Sequence, residues 1–495
     1  MKHTAVALWT LVGVALSSAG AFAVPLPANA DRPTADPIVI RPQGDDMSQF
    51  SGGKTLLLDA RLGHKALPTT GGETFVFASV AGRDESSRAV AAPLNLGIVI
   101  DRSGSMKGQR IVNALAAATG TIDRMRDGDL VSVVSFDDSA QVVVPPTRIS
   151  SSTRGSVVSA IQSIRLGGDT CISCGLDTAM NELMRAGDSR GITKMLLLSD
   201  GAANQGVRDV SGLRQIAGRM RDRGCNISTI GVDVDFDEKI MSAIATESNG
   251  RHHFVANASE LTNVFNQEFD SLLATVAREA ELEIELAPGV EPVQVFDRSH
   301  RRSGQRITVP FGTFSAKQEK TVLLKVRVSE SLARSDNQPI ARLRLAYEDA
   351  ATGRFGREET QGALAARVSR SASLDDLDPF VAARLSRSLT ATALTEANSL
   401  FERGFAEEAR KRLTSQADEV GRVASRAKTA APAAAKPVTA ARPLADDFEQ
   451  QLDAVRSAES SFGSAAVGGA AAAPAKREGK AQVRTNQANA QSFGF

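Results

Sequence analysis

Aromatic side chains are scarce: Trp9 is the one tryptophan of this chain and Tyr347 its one tyrosine. The 58 Lys and Arg are matched by 57 Asp and Glu, so neither sign of charge dominates. Without a basic stripe or an aromatic platform, nucleic acid is not an expected partner. Long apolar runs are also missing beyond the first segment, none reaching the roughly 18 uninterrupted residues that a spanning helix needs. Histidine is thin, with His64, His252, His253 and His300 the four beyond the first segment, none in a recognisable nucleophile motif. Cysteine is limited to Cys171, Cys174 and Cys225, which excludes a disulfide-dense scaffold.

The chain opens with Lys2 and His3, then an apolar run from Thr4 to about Phe22. Small-residue cleavage sites follow at Ala21-Phe22-Ala23 and Ala28-Asn29-Ala30. Residues 1–30 are therefore expected to be a signal peptide. With no Cys near the cleavage region, a lipid-anchored start is not expected. The expected location is the periplasm, the cell envelope or the exterior, with no transmembrane segment after signal cleavage. Export permits a disulfide. Cys225 precedes a predicted strand at its amino end, whereas Cys171 and Cys174 fall toward the opposite sheet edge, so Cys225 is expected to stay unpaired.

What the sequence does contain is concentrated in Leu94 to Met106, LNLGIVIDRSGSM. A buried-strand run delivers Asp101, and Ser103 and Ser105 follow at alternate positions on a Gly-containing turn. Helical spacing of Ile111, Leu115 and Ala118 begins soon after. One carboxylate and two hydroxyls thus stand at the carboxyl end of a strand, where open α/β sheets bind ligands. An all-oxygen set of this kind suits a hard divalent cation.

This D-x-S-x-S segment resembles the metal-ion-dependent adhesion site of the von Willebrand factor A (integrin I-like) domain. That family completes its site with a Thr and a second Asp from later loops. GGDTCISCGL supplies Thr170 and KMLLLSDG supplies Asp200. The resemblance implies a metal set of Asp101, Ser103, Ser105, Thr170 and Asp200. It also implies Mg2+ as the ion, with Mn2+ or Ca2+ as substitutes, and no catalytic residues. In the family a protein ligand offers Asp or Glu to the open metal position. Only Asp101 and Asp200 bring formal charge, so such a carboxylate completes both coordination and charge. The implied function is a cation-dependent adhesion module, not an enzyme. Two alternatives stand beside it: thiol–disulfide chemistry at Cys171/Cys174, placed at a helix start, and a scaffold subunit of an ATPase-linked complex.

The expected fold is α/β, a doubly wound, mostly parallel sheet inserted in or flanked by a β-sandwich. Strands are predicted near Leu94–Ile100, Leu130–Phe136, Ala140–Val144, Lys194–Leu198, Asn226–Val232 and Arg251–Val255. Helices alternate with them, the last near Glu260–Ala277, so residues 94–277 form the A domain. Asp137 and Asp138 are expected to make a turn rather than touch metal. Residues 31–53 are expected to be a linker, 54–93 the first strands of the sandwich, and 281–370 the remainder. Residues 375–427 resemble one tetratricopeptide-like helical hairpin, which must dock elsewhere to bury its apolar face. Residues 428–495 are Ala-rich and low in complexity, and are expected to be largely disordered.

Overall fold

The chain has 495 residues, and the computed structural model describes residues 38–40, 46–84, 92–186, 191–200, 203–233, 236–255, 257–330, 336–360, 362–434, 436–437, 439, 443–466 and 476–494. The expected signal peptide lies outside the described residues. In chain order the first strands are β1 (Ile38–Ile40), β2 (Gln49–Gly53), β3 (Leu56–Leu62), β4 (Ala66–Leu67) and β5 (Gly72–Gly82). The α/β part comprises β6 (Leu94–Asp101), α1 (Gln109–Arg124), β7 (Leu130–Phe136), β8 (Ala140–Arg148), α2 (Arg154–Gln162), α3 (Ile172–Arg185), β9 (Ile192–Ser199), α4 (Val210–Arg221), β10 (Asn226–Val232), α5 (Glu238–Glu247), β11 (His252–Val255) and α6 (Leu261–Leu273). The strands after it are β12 (Thr275–Leu286), β13 (Val290–Phe296), β14 (Arg301–Ser303), β15 (Arg306–Ser315), β16 (Glu319–Val328), β17 (Asn337–Asp349), β18 (Phe355–Glu359) and β19 (Leu364–Val368). Helices α7 (Pro379–Glu402), α8 (Ala406–Ala430), α9 (Leu444–Ala466) and α10 (Arg477–Gly494) follow.

The strands on either side of the α/β part fold together. One sheet runs β1-β2-β3-β5-β16-β13 and the other β14-β15-β12-β17-β19-β4, with β18 paired to β17. Within the first sheet the early and late strands join through the antiparallel pairing of β5 with β16, from Gly72 opposite Val328 to Ala81 opposite Glu319. Alternation puts Leu56, Leu58, Val76 and Val80 in the same core as Ile284, Val309, Phe311 and Leu345. The chain leaves and re-enters the sandwich at neighbouring points: a Cβ on Gly82 would meet Val276 Cγ2 at 3.0 Å. The α/β domain is thus an insertion in the sandwich.

Within the insertion the strand order is β11-β10-β9-β6-β7-β8. All neighbours are parallel except β7 and β8. Both faces are covered, which explains why β6 is buried at every position. Ile98 and Ile100 pack with Ala114, Ala118 and Phe265 from α1 and α6, while Val99 packs with Leu176 and Leu183 from α3. From β6 the chain moves to β7 on one side and later to β9 on the other. That reversal makes the carboxyl ends of β6 and β9 a topological switch point, where such sheets open a crevice.

Helix α7 starts on Pro379, and the Asp378 carboxylate accepts from Phe380 N at 3.0 Å and Val381 N at 3.2 Å, satisfying donors that the first turn leaves open. Val381 packs against Phe75, Phe77 and Leu323 on the outer face of the sandwich. Further along, Phe401 of α7 stacks on Phe462 of α9, ring centroids 4.0 Å apart.

Three boundaries differ from expectation. Part of the expected linker is strand, since β2 pairs with β3 and β1 with β2. The expected helix Glu260–Ala277 stops at Leu273, and β12 begins at Thr275, because Ala277 and Ala280 are drawn into the sandwich core. The expected disordered tail is corrected most. Described residues 444–466 and 477–494 are helices, packed through Phe448, Val455, Phe462, Val483 and Phe493. Alanine gives low complexity, yet it is the best helix former. Phe448, Val455 and Phe462 recur every seven residues and mark one helix face.

Cys171 and Cys174 form a disulfide, and Cys225 is free and buried. Burial pushes the Cys225 thiol up to about 12, a nearby Lys194 opposing only weakly. A maleimide reagent should therefore label the native chain nowhere among these three. One label is expected after unfolding and three after unfolding with reduction, read by mass. Native labelling of Cys225 would contradict its burial.

Candidate metal site

Four of the five expected residues meet directly at the switch point. Asp101 ends β6 and Asp200 immediately follows β9. The Asp101 carboxylate shapes the turn beyond it, accepting from Ser103 N at 2.8 Å, and its other oxygen accepts from the Ser199 hydroxyl. Ser105 Oγ donates to Asp200 Oδ1 at 2.6 Å. That uses the only hydroxyl hydrogen of Ser105, so the 3.0 Å contact between the two serine oxygens has Ser103 donating. Lone pairs remain on both serine oxygens. Asp101 and Asp200 are fully buried and Ser103 nearly so, whereas Ser105 is exposed. The cluster therefore opens to solvent on one side.

Thr170 arrives on a separate loop that is fastened to the first. Gly104 N donates to Gly168 O at 2.9 Å, and Gly167 N to Arg102 O at 2.7 Å. On its far side, Thr170 N donates to Asn204 Oδ1 at 2.7 Å, and Thr170 O accepts from Asn204 N at 3.1 Å. The disulfide follows at once, with Cys171 buried at the start of α3. The Thr170 hydroxyl has no hydrogen-bond partner among the described residues. Asp137 is a turn residue: it accepts from Ser139 N at 3.1 Å and pairs with Arg102 at 2.6 Å.

Electrostatics at the cluster are those of two neighbouring carboxylates, of which Asp200 is paired with Arg110 and Asp101 is not paired with a cation among the described residues. Burial pushes Asp101 up to about 6, the Ser103 and Ser199 hydrogen bonds pull against it, and the Asp200 charge adds to the rise. Burial also raises Asp200, with Ser105 and Arg110 opposing. Arg110, in the first turn of α1, reaches Asp200 Oδ2 at 2.7 Å and Ser105 O at 2.9 Å. It also reaches Asp233, just past β10. Partial burial works against its charge, but the bonds to Asp200 and Asp233 outweigh that and hold the guanidinium above its usual value.

The donor set fits a hard cation: two carboxylates and three hydroxyls, all oxygen, with lone pairs left on the serines. Among the described residues no group of three or more His, Cys, Asp or Glu is placed to hold a metal. A carboxylate–hydroxyl set is a different kind of site. Sequence reasoning missed Arg110, Asp233 and Ser199. Ser199 adjoins Asp200 in the chain and was within reach of inspection. Arg110 and Asp233 gave no signal, because their meeting depends on the strand order β10-β9-β6 and on where the first turn of α1 lies.

The described histidines all have hydrogen-bond partners, His300 through Arg298 O at 3.3 Å. His64 bonds Thr74 Oγ1 and Leu374 O, His253 bonds Glu268, and His252 bonds Thr229 Oγ1. One G-x-S-x-G string occurs, Gly187 to Gly191. It joins α3 to β9, a helix-to-strand connection rather than the strand-to-helix turn a nucleophile elbow needs. Residues 187–190 lie outside the described residues.

Fold and cluster together define a doubly wound α/β domain with an oxygen-lined rim at its switch point. More particularly, residues 95–267 match the family model for the von Willebrand factor type A domain, so this chain carries such a domain. The chain is 28% identical over 286 residues to the uncharacterized protein sll0103 of Synechocystis sp., covering 56% of this chain and 66% of that protein. It is 26% identical over 207 residues to inter-alpha-trypsin inhibitor heavy chain H1 of Bos taurus, covering 38% of this chain and 21% of that one. This chain thus spans less than two thirds of the curated relatives it matches. Among solved structures it resembles a von Willebrand factor type A protein from Catenulispora acidiphila, with TM-score 0.64 at 17% identity, covering 84% of this chain and 98% of that one. That likeness establishes the fold. No described helix is long and apolar enough to cross a membrane.

Proposed function

We infer that this protein is a divalent-cation-dependent protein-binding module of the cell envelope. Mg2+ is held by Asp101, Ser103, Ser105, Thr170 and Asp200, and a partner's Asp or Glu completes the shell. The observation that carries the reading is the convergence of Asp101, Ser103, Ser105 and Asp200 at one solvent-open point, with the Thr170 loop tied beside it. A bound dication would supply the counter-charge that the buried Asp101 carboxylate lacks, Asp200 being already paired with Arg110. A protein-interaction role accords with the von Willebrand factor A domain over residues 95–267. Export to the envelope accords with the expected signal peptide and with the Cys171–Cys174 disulfide.

The test is partner capture from envelope extract by wild type and Thr170→Ala, each in Mg2+ and in EDTA. Even outer-shell changes at metal sites cost about 10–100-fold in affinity, so loss of this hydroxyl is expected to cost about tenfold or more. The melting temperature in EDTA should be unchanged, because the hydroxyl serves the ion and not the core. Equal capture by wild type in Mg2+ and EDTA would refute the mechanism.

A further inference from the structure

Arg110 does more at this rim than the metal reading requires. Its guanidinium spans two carboxylates from different strands, Asp200 after β9 and Asp233 after β10, and bonds the Ser105 carbonyl as well. Its side chain is 27% exposed, against 0% for Asp200. It is thus more open to solvent than Asp200, and it touches the exposed Ser105 through that residue's carbonyl. Asp233 is itself held in place: its backbone sits in the left-handed region at φ 64°, and its N–H donates to Val255 O at 2.9 Å. Its other carboxylate oxygen pairs with Arg477 at the start of α10, at 2.9 Å.

We propose that Arg110 is the built-in competitor of the divalent cation. It neutralises Asp200 when no ion is bound, and it withdraws onto Asp233 when one binds. This deepens the proposed function and rests on its metal site. The physical case is a matter of charge. A buried carboxylate needs a counter-charge, and among the described residues Arg110 is the cation that touches Asp200. A dication on the same carboxylate would lie beside the guanidinium, and like charges at that range repel strongly. Asp233 is the alternative acceptor, already in contact, so the arginine can yield Asp200 without losing its own partner.

The exchange also makes the charge around these side chains more positive. Asp101, Asp200 and Asp233 against Arg110 and Arg477 leave one net negative charge. A dication raises the charge of these five groups by two. Arg477 is largely exposed, so its pairing with Asp233 contributes little to holding α10.

The test uses the full chain and the metal alone. Mg2+ and Mn2+ are titrated calorimetrically into wild type, Arg110→Gln and Asp233→Asn, and melting is followed in EDTA. Hydrogen bonds to charged groups are strong enough that losing the competitor should tighten Mg2+ binding by about ten- to a hundredfold. Arg110→Gln should melt below wild type in EDTA and recover in Mg2+. Asp233→Asn should bind Mg2+ more weakly than wild type, because the arginine then has no second carboxylate. If wild type binds Mg2+ and Arg110→Gln binds no tighter, the competitor role is overturned while the metal site stands. If neither binds Mg2+ or Mn2+, both readings fall. Should Arg110→Gln prove insoluble, unchanged Mg2+ affinity in Asp233→Asn overturns the proposal by itself.

Discussion

Asp101→Ala is expected to abolish Mg2+ binding, with no heat detectable by calorimetry at millimolar metal. The effect is large because the carboxylate is fully buried, so little water stands in for it. Opposite unit charges about 4 Å apart attract by about 4 kcal/mol at the effective dielectric of such sites, and a dication doubles that. Losing the charge should therefore cost about a thousandfold in affinity or more. Asp101 also holds the turn through Ser103 N and the Ser199 hydroxyl, so alanine alone mixes charge with geometry. Asp101→Asn separates them, since it keeps the shape and an acceptor for Ser103 N. The expected result is a folded Asn variant that does not bind Mg2+. Wild-type affinity in that variant would remove Asp101 from the metal set.

The features of this site that were legible in the sequence are those that a strand end dictates locally. Leu94 to Ile100 reads as strand because both faces of the sheet are covered, and Asp101, Ser103 and Ser105 follow within one turn. Thr170 and Asp200 were found through resemblance to a known pattern. Nothing local to GGDT or LLLSDG states that they face Asp101. Arg110 and Asp233 were invisible for the same reason and lacked a pattern to place them. Their meeting follows from the strand order β10-β9-β6 and from the first turn of α1.

Composition misled at the end of the chain. An Ala-rich segment of low complexity resembles a linker when its helix face is ignored. Phe448, Val455 and Phe462 supply that face, and the hairpin of α7 and α8 supplies the surface it covers. The helical hairpin needed such a partner, and much of the partner lay in the segment read as tail. Where α6 gives way to β12 the difficulty was different. Ala274, Val276 and Ala277 fit a helix as well as a strand, and the sandwich core, remote in sequence, decides between them.

The shared sandwich makes the second large-effect prediction: residues 275–494 without residues 46–84 should fail to fold. Removing β3 and β5 strips Leu56, Leu58, Leu62, Val76 and Val80 from the core, each at most 1% exposed. Burial of such side chains contributes about 1.5–3 kcal/mol each, so the loss totals about 8–15 kcal/mol. That matches or exceeds the whole stability of a typical domain, about 5–15 kcal/mol. The deletion also leaves β16 without its neighbour β5, a bare edge prone to aggregation. The converse deletion should be tolerated. Gly82 and Val276 lie side by side, so a short Gly-Ser link from residue 84 to residue 275 can replace the entire α/β insertion. Circular dichroism and thermal melting of the two products decide the matter. The linked chain is expected to give a cooperative transition with β-sheet signal, and the chain lacking 46–84 is expected to give none. A sharp melt from residues 275–494 alone would show that the later strands close a core without β3 and β5.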